Sequence, residues 1–261
     1  MIRSKTRNEP GAELQRRYTA ADLRVFTREE ARRFVPQGVG DPQTDPVLAW
    51  ELLYRLEPQL YDRLATVEHL HPGILTWLPH TAGTIVEVGA GTGRLTLELI
   101  DRGLEVVAIE PALPLRRILK RKLAAADHGS RARVVRGFFD HLPLPGDYAD
   151  LVVACSALTP ASAHGGEAGL SEMERVCRPG GCVAVIWPNN IDWLADRGYR
   201  HVSFGGPMSV RFPSHKEAVE LAEIFYPRAA ERIRTRGWRQ VRFEVLGINA
   251  PRDLAFKTLA R

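Results

Sequence analysis

The chain has 261 residues, 44% hydrophobic and 26% charged, with a net charge of +5. This is an ordinary soluble composition, long enough for one large domain plus an extension. No apolar run approaches the roughly 20 residues of a membrane span, and the cysteines show neither metal-ligand spacing nor a disulfide framework.

Cys155, Cys177 and Cys182 sit in apolar segments and read as buried free thiols of a reducing, cytoplasmic protein. The opening MIRSKTRNEPGAELQRRY has no apolar core, so no secretory signal is expected there. Charge is unevenly spread. Residues 1–40 carry nine Arg/Lys against five acids, while 41–80 carry two against six. Arg116 to Arg136 holds eight basic residues and one acid, and Arg228 to Arg242 six and one. Such patches can face nucleic acid or an anionic substrate, although a solvated helix face is their commoner meaning. There is no aromatic interleaving of the kind that stacks bases.

In chain order, residues 1–40 read as a polar arm. Thr19 with Asp22 and Thr27 with Glu30 are capping signals for two short helices, and Phe26 and Phe34 supply apolar surface. Gly38 to Thr44 reads as a linker. Asp45 then caps a helix with Pro46 at its first position and Leu48, Leu52, Leu53 and Leu56 on one face. Pro58 opens a second helix with Leu60, Leu64 and Val67, broken at His71-Pro72-Gly73 before a short turn from Ile74 to Leu78.

The chain is organised around Thr84 to Ile100, TIVEVGAGTGRLTLELI. Ile85, Val86 and Val88 mark a buried strand. Gly89, Gly91 and Gly93 make a turn, and Leu95, Leu99 and Ile100 mark a helix. Glycine can take positive φ and lets a ligand approach the backbone. The helix turns free N–H groups and its positive dipole end toward the turn. Such a unit is a nucleotide-binding edge. The dinucleotide fingerprint G-x-G-x-x-G does not fit, because the third glycine comes one place early and Arg94 stands in its position. No Walker lysine follows. A second strand, Glu105 to Ile109, ends in the acid Glu110, and Pro111 opens a helix with Leu115, Ile118, Leu119 and Leu123 on one face.

Further strands are expected at Ala132 to Arg136, Leu151 to Cys155 and Cys182 to Trp187. A helix is expected at Gly169 to Cys177, followed by the turn Arg178-Pro179-Gly180-Gly181. Asn189 to Pro213 reads as a long irregular segment, a candidate substrate lid. Ser214 with Glu217 is a capping box. Its helix carries Ala218, Leu221, Ala222 and Phe225, breaks at Pro227 and resumes to Gly237. Val241 to Ile248 and Leu254 to Leu259 read as two final strands.

Glu87-x-Gly89-x-Gly91-x-Gly93, with Glu110 at the end of the next strand, resembles motif I of the class I S-adenosylmethionine-dependent methyltransferases. The Arg-Pro-Gly-Gly element is similar to that family's later marker. The resemblance spans about 81–261. It implies an α/β fold: a Rossmann-like, mostly parallel sheet with an antiparallel last strand, here with an N-terminal helical extension. Residues 1–80 would be a basic arm and helical lead-in, and 81–261 the cofactor-binding domain. The implied cofactor is S-adenosylmethionine. Gly89, Ala90, Gly91 and Gly93 would line its methionine and ribose portions, and Glu87 would orient the turn or meet the cofactor amino group. Glu110 would accept both ribose hydroxyls, with Pro111 beside it. Arg94 would meet the cofactor carboxylate or face outward. Phe139 and Asp140 would border the adenine, although Phe138 stands where the family usually has an acid. Cys155 would border the methyl group. Asp150 reads as either a site residue or an ordinary strand start. His164 is the first candidate for a general base, with His141 and His201 behind it. Tyr61, Trp193 and His201 are candidate substrate contacts; Tyr54 and Tyr61, in the lead-in, would reach over the site or pack on the core.

The implied activity is methyl transfer, with a small molecule as the expected substrate. Neither the Asp/Asn-Pro-Pro-aromatic motif nor the Pro-Cys pair of nucleic-acid methyltransferases occurs. An RNA or protein methyltransferase using the basic arm, and a non-catalytic cofactor-binding scaffold, remain open alternatives. No metal site is expected, and the sequence leaves the oligomeric state open.

Overall fold

A computed structural model describes residues 12–34, 41, 43–79, 83–103 and 105–260. The start of the basic arm, the Phe34 side chain, most of the Gly38–Thr44 linker and the expected boundary at 80/81 lie outside the described residues. The strands in chain order are β1 (Thr84–Val88), β2 (Glu105–Ile109), β3 (Ala132–Val135), β4 (Ala149–Cys155), β5 (Cys177–Ile186), β6 (Arg200–Ser203), β7 (Ser209–Arg211), β8 (Gln240–Arg242) and β9 (Asp253–Thr258).

Seven strands form one sheet in the order β3-β2-β1-β4-β5-β9-β6. β1 to β5 are parallel to their neighbours, and β9 runs antiparallel to both β5 and β6. This is the mostly parallel, Rossmann-like α/β sheet that the resemblance implies. The order reverses beside β1, so its carboxyl end opens at a topological switch point, where α/β sheets bind ligands. The central strands are apolar throughout. Val86, Val88, Val107, Ile109, Val152, Ala154, Val183 and Val185 are at most 1% exposed and share one core with Leu158, Leu170 and Met173. Burying each of the larger side chains contributes roughly 1.5–3 kcal/mol.

Local chemistry sets the helix ends. Asp45 accepts from Val47 N and Leu48 N at the start of the Pro46–Leu56 helix. Ser214 accepts from Glu217 N at the start of His215–Phe225, and Gly237 closes Pro227–Arg236 in the left-handed conformation. Two capping pairs also form in the arm: Asp22 accepts from Thr19 N, and Glu30 accepts from Thr27 N.

Several expectations are corrected. Asn189 to Pro213 is not an irregular lid: it holds a short helix (Ile191–Ala195, capped by Asn190), β6 and β7. β6 escaped the sequence pattern because it is an edge strand with exposed ends, which needs no apolar alternation. Only β9 of the two expected final strands joins the main sheet. Gln240–Arg242 pairs with Ser209–Arg211 in a separate ribbon, and Phe243–Leu246 is helical. The helix expected from Gly169 starts at Gly166. Arg178 to Gly181 is a bulge inside a longer β5 rather than a turn before it: Ala149 pairs with Cys177, and Leu151 with Cys182. After the glycine turn only Thr96–Leu99 is helical. Leu56 is 39% exposed rather than buried.

Asp150 lies at the amino end of β4, at the opposite end of the sheet from the glycine turn. It accepts from Thr84 N at 2.8 Å and pairs with Arg178. Its work there is structural: it fastens the starts of β1 and β4 to the β5 bulge.

Contacts divide the described residues into two compact units. Of the described residues, one comprises those within 70–206 and 251–260, and the other those within 12–69 and 207–250. The first holds the seven-stranded sheet. The second joins the lead-in helices to residues far along the chain, a grouping the sequence does not announce. Trp50 stacks on Phe225 with centroids 5.9 Å apart, Tyr226 donates to buried Glu68 at 2.8 Å, and Arg63 donates to Glu217 and Glu220.

Candidate cofactor site

The site is built where β1 and β2 end side by side. Val88 pairs with Ile109, and the chain turns at once. Gly89 N and Ala90 N both donate to Ile109 O, and Gly93 N donates to Ala90 O. Gly89 requires its residue type twice over. Its φ is +75°, and a Cβ there would lie 2.7 Å from Ala157 Cβ. That contact also shows that the segment after β4 lies directly against the turn. The Phe139 ring comes within 3.4 Å of the same point. The structure therefore brings Gly89, Phe139 and the exit of β4 together.

Glu110 clasps the turn. Its Oε2 accepts from Gly91 N at 2.9 Å and its Oε1 from Ala112 N at 2.8 Å. Arg116 donates to the backbone carbonyls of Glu110 and Pro111, at 2.7 and 2.6 Å. Burial pushes the Glu110 carboxyl up to about 7, opposed by the two backbone N–H groups and the Arg116 charge. Glu87, 1% exposed, accepts from the Thr96 hydroxyl at 2.5 Å and so ties β1 to the helix after the turn. Burial pushes its carboxyl up to about 8, with the Thr96 hydrogen bond and Arg94 opposing and the Glu110 charge reinforcing. Thr96 went unremarked in the sequence. Its signal was a hydroxyl residue in an apolar run, one turn past an acid-ended strand.

The other sequence candidates are distributed as follows. Cys155 ends β4 opposite Ile186, half-buried. Asp140 is exposed. His164, half-buried, ends a 3-10 turn in the segment after β4, where its carbonyl accepts from Thr159 N. Trp193 donates through its indole N–H to Glu167 at 2.9 Å and lies under the Arg197 guanidinium at 4.7 Å. His201 is on β6, three strand positions from β4, with Nε2 3.3 Å from Asp253 Oδ1. The glycine turn and His201 are thus not brought together. Tyr61 belongs to the second unit and packs edge-on against Tyr54 at 4.8 Å. Sequence reasoning missed Trp187. It follows β5 at φ +50°, with the Arg94 guanidinium 5.3 Å from its ring centre. At the same level of the sheet Ser156 leaves β4 at φ +53°, its N–H donating to Ile186 O. Bulky residues seldom adopt this conformation.

The residues present fit an S-adenosyl cofactor. Each Glu110 oxygen accepts one backbone N–H and keeps capacity for another donor, which suits the two hydroxyls of a ribose. The Thr92 hydroxyl in the turn is buried with no hydrogen-bond partner among the described residues. Gly91, at φ +56°, presents no side chain between Glu110 and the turn.

Fold and turn agree with the resemblance to class I S-adenosylmethionine-dependent methyltransferases. Residues 85–181 match the family described as "Methyltransferase domain". An uncharacterized methyltransferase of Mycobacterium tuberculosis (strain ATCC 25618 / H37Rv) is 31% identical over 134 residues, covering 49% of this chain and 50% of that protein. One from Schizosaccharomyces pombe is 33% identical over 132 residues, covering 47% and 49%. The chain thus spans about half the length of the curated relatives it matches. A solved methyltransferase from Haloferax volcanii, in complex with the Trm112 methyltransferase activator, has the same fold: TM-score 0.52 at 17% identity, covering 80% of this chain and 96% of that one. Among the described residues no helix is long and apolar enough to cross a membrane.

Proposed function

We propose that the protein transfers the methyl group of S-adenosylmethionine to a small-molecule acceptor. The carrying observation is the Glu110 clasp: a buried carboxylate at the end of β2, held by Gly91 N and Ala112 N with acceptor capacity to spare. The sulfonium of the bound cofactor supplies an already activated methyl group. The chain's own task is then alignment and the exclusion of water, which supply roughly 7–11 kcal/mol in well-oriented intramolecular models. Glu110 holds the ribose, Gly89 and Gly91 let the cofactor approach the backbone, and Phe139 borders the adenine. Cys155 to Thr159 border the methyl end, where the segment after β4 lies against Gly89. For a hydroxyl or amine acceptor His164 is the candidate proton acceptor, because it lies on that same segment. A small acceptor is favoured because Ser156-Ala157-Leu158-Thr159 follows β4 in place of a base-clamping Pro-Pro-aromatic run. The protein works in the cytoplasm, consistent with its three free cysteines.

The test is calorimetric titration with S-adenosylhomocysteine, with NADH in parallel. Wild type is expected to bind the former in the micromolar range. Glu110→Ala removes two charge-assisted hydrogen bonds of about 1.5–3 kcal/mol each, so affinity should fall a hundredfold or more. Binding of NADH alone would overturn the reading.

A further inference from the structure

The Leu113–Ala125 helix divides sharply into two faces. Leu115, Ile118, Leu119 and Leu123 are at most 5% exposed and belong to the core. The opposite face presents Arg117, Lys120 and Arg121, all exposed. The helix contains no acidic residue, and the first acid after it is Asp127. None of these three cations has a partner among the described residues. Arg131 and Arg133, by contrast, are paired with Asp101 and Glu105. Arg136, just past edge strand β3, is exposed and lies 5.7 Å from the ring centre of half-buried Phe138.

We propose that this face of the Leu113–Ala125 helix, together with Arg136 and Phe138, docks the backbone of a single-stranded nucleic acid. Arg117 and Arg121 are one helical turn apart, and Lys120 lies between them, so the three cations form one patch about a turn long. Unpaired surface cations release counterions when they meet phosphates, which drives sequence-independent binding. The Arg136–Phe138 pair adds the cation and aromatic face on which an unstacked base can lie. A membrane surface fits less well. A helix lying in a bilayer interface inserts its apolar face, and here that face is spent in the core, leaving only Leu113, 49% exposed. An acidic protein also fits less well, because protein interfaces have an apolar centre, and between Arg117, Lys120 and Arg121 the helix exposes no apolar side chain.

The inference rests on charge and exposure, not on the methyl-transfer reading. Its test uses the full chain and a fluorescein-labelled 20-nucleotide single-stranded RNA of mixed sequence, followed by anisotropy between 50 and 300 mM salt. With about four phosphate contacts, log K against log salt should have a slope near −3. The combined variant R117E/K120E/R121E should bind at least tenfold more weakly with a slope near −1, at an unchanged melting temperature. A second variant, R117A/K120A/R121A, guards against a fold disturbed by added acids and should show the same direction. Glu110→Ala should bind RNA like wild type, which separates this proposal from the cofactor site. No RNA binding by wild type at 50 mM salt would overturn the proposal. So would binding that both triple variants retain, or equal binding of polyglutamate or of vesicles rich in anionic lipid.

Discussion

Replacing Glu87 by glutamine tests whether a carboxyl at the heart of the glycine turn is kept neutral in the folded, ligand-free protein. The side chain is 1% exposed, with the Thr96 hydroxyl at 2.5 Å. Unfolded, it titrates near 4.5; folded, near 8. Between those values the folded state holds one more proton than the unfolded state, so stability falls as pH rises, by about 1.4 kcal/mol per unit. The stabilisation is complete below pH 4.5 and gone above about pH 8. Over that window the loss for Glu87 is on the order of 5 kcal/mol, a large share of a typical domain's 5–15 kcal/mol. Glu110 adds a smaller loss in the same direction that ends nearer pH 7. The assay is urea unfolding of wild type and Glu87→Gln at half-unit steps from pH 5 to 9. The amide keeps the volume and an acceptor for Thr96 but cannot ionise. The wild-type curve should fall through this range, and the difference from the variant should shrink steadily below pH 8. A difference that stays constant with pH would refute the reasoning.

Three further outcomes follow from the same geometry. Gly89→Ala should cost about 1–3 kcal/mol of stability from its left-handed backbone and its contact with Ala157, and should weaken S-adenosylhomocysteine binding by calorimetry. Gly181→Ala would place a Cβ 2.7 Å from Cys177 Sγ, 2.8 Å from Arg178 O and 2.9 Å from Asp150 O. Two of these neighbours are backbone and cannot yield, so thermal unfolding should show a loss of about 1–3 kcal/mol. Asp150→Ala should orphan Thr84 N and cost about 1–3 kcal/mol in denaturant unfolding. Cofactor affinity of the folded fraction should stay unchanged, because Asp150 lies at the opposite end of the strands.

The elements that were legible in the sequence carry local signals. β1 and β2 are short apolar runs closed by glycine and by an acid, and Asp45, Ser214 and Gly237 mark helix ends through their own hydrogen bonds. Where pattern and packing diverge, the sequence misleads. Val241, Phe243 and Val245 alternate like a strand, yet burial falls on Val241, Phe243 and Leu246, and Gly247 ends a helical turn. β6 is too exposed to carry any pattern. Glu87, Glu110, Gly89 and Phe139 were identifiable as candidates from motif spacing. The partners Thr96 and Arg116, and Trp187 beside Arg94, were not, since nothing short-range marks a side chain that acts across a turn or between strand ends.

The second unit has a consequence for synthesis on the ribosome. Its early helices, Pro46–Leu56 and Pro58–Val67, find their apolar and charged partners on His215–Phe225 and beyond. The Tyr226–Glu68 bond alone spans 158 residues. At roughly 5–20 residues per second, those helices wait about 10–30 s for the segment that covers Trp50 and satisfies Glu68. A later-made segment thus completes an earlier-made one, and over that interval Trp50 and Glu68 lack the partners they have in the folded protein.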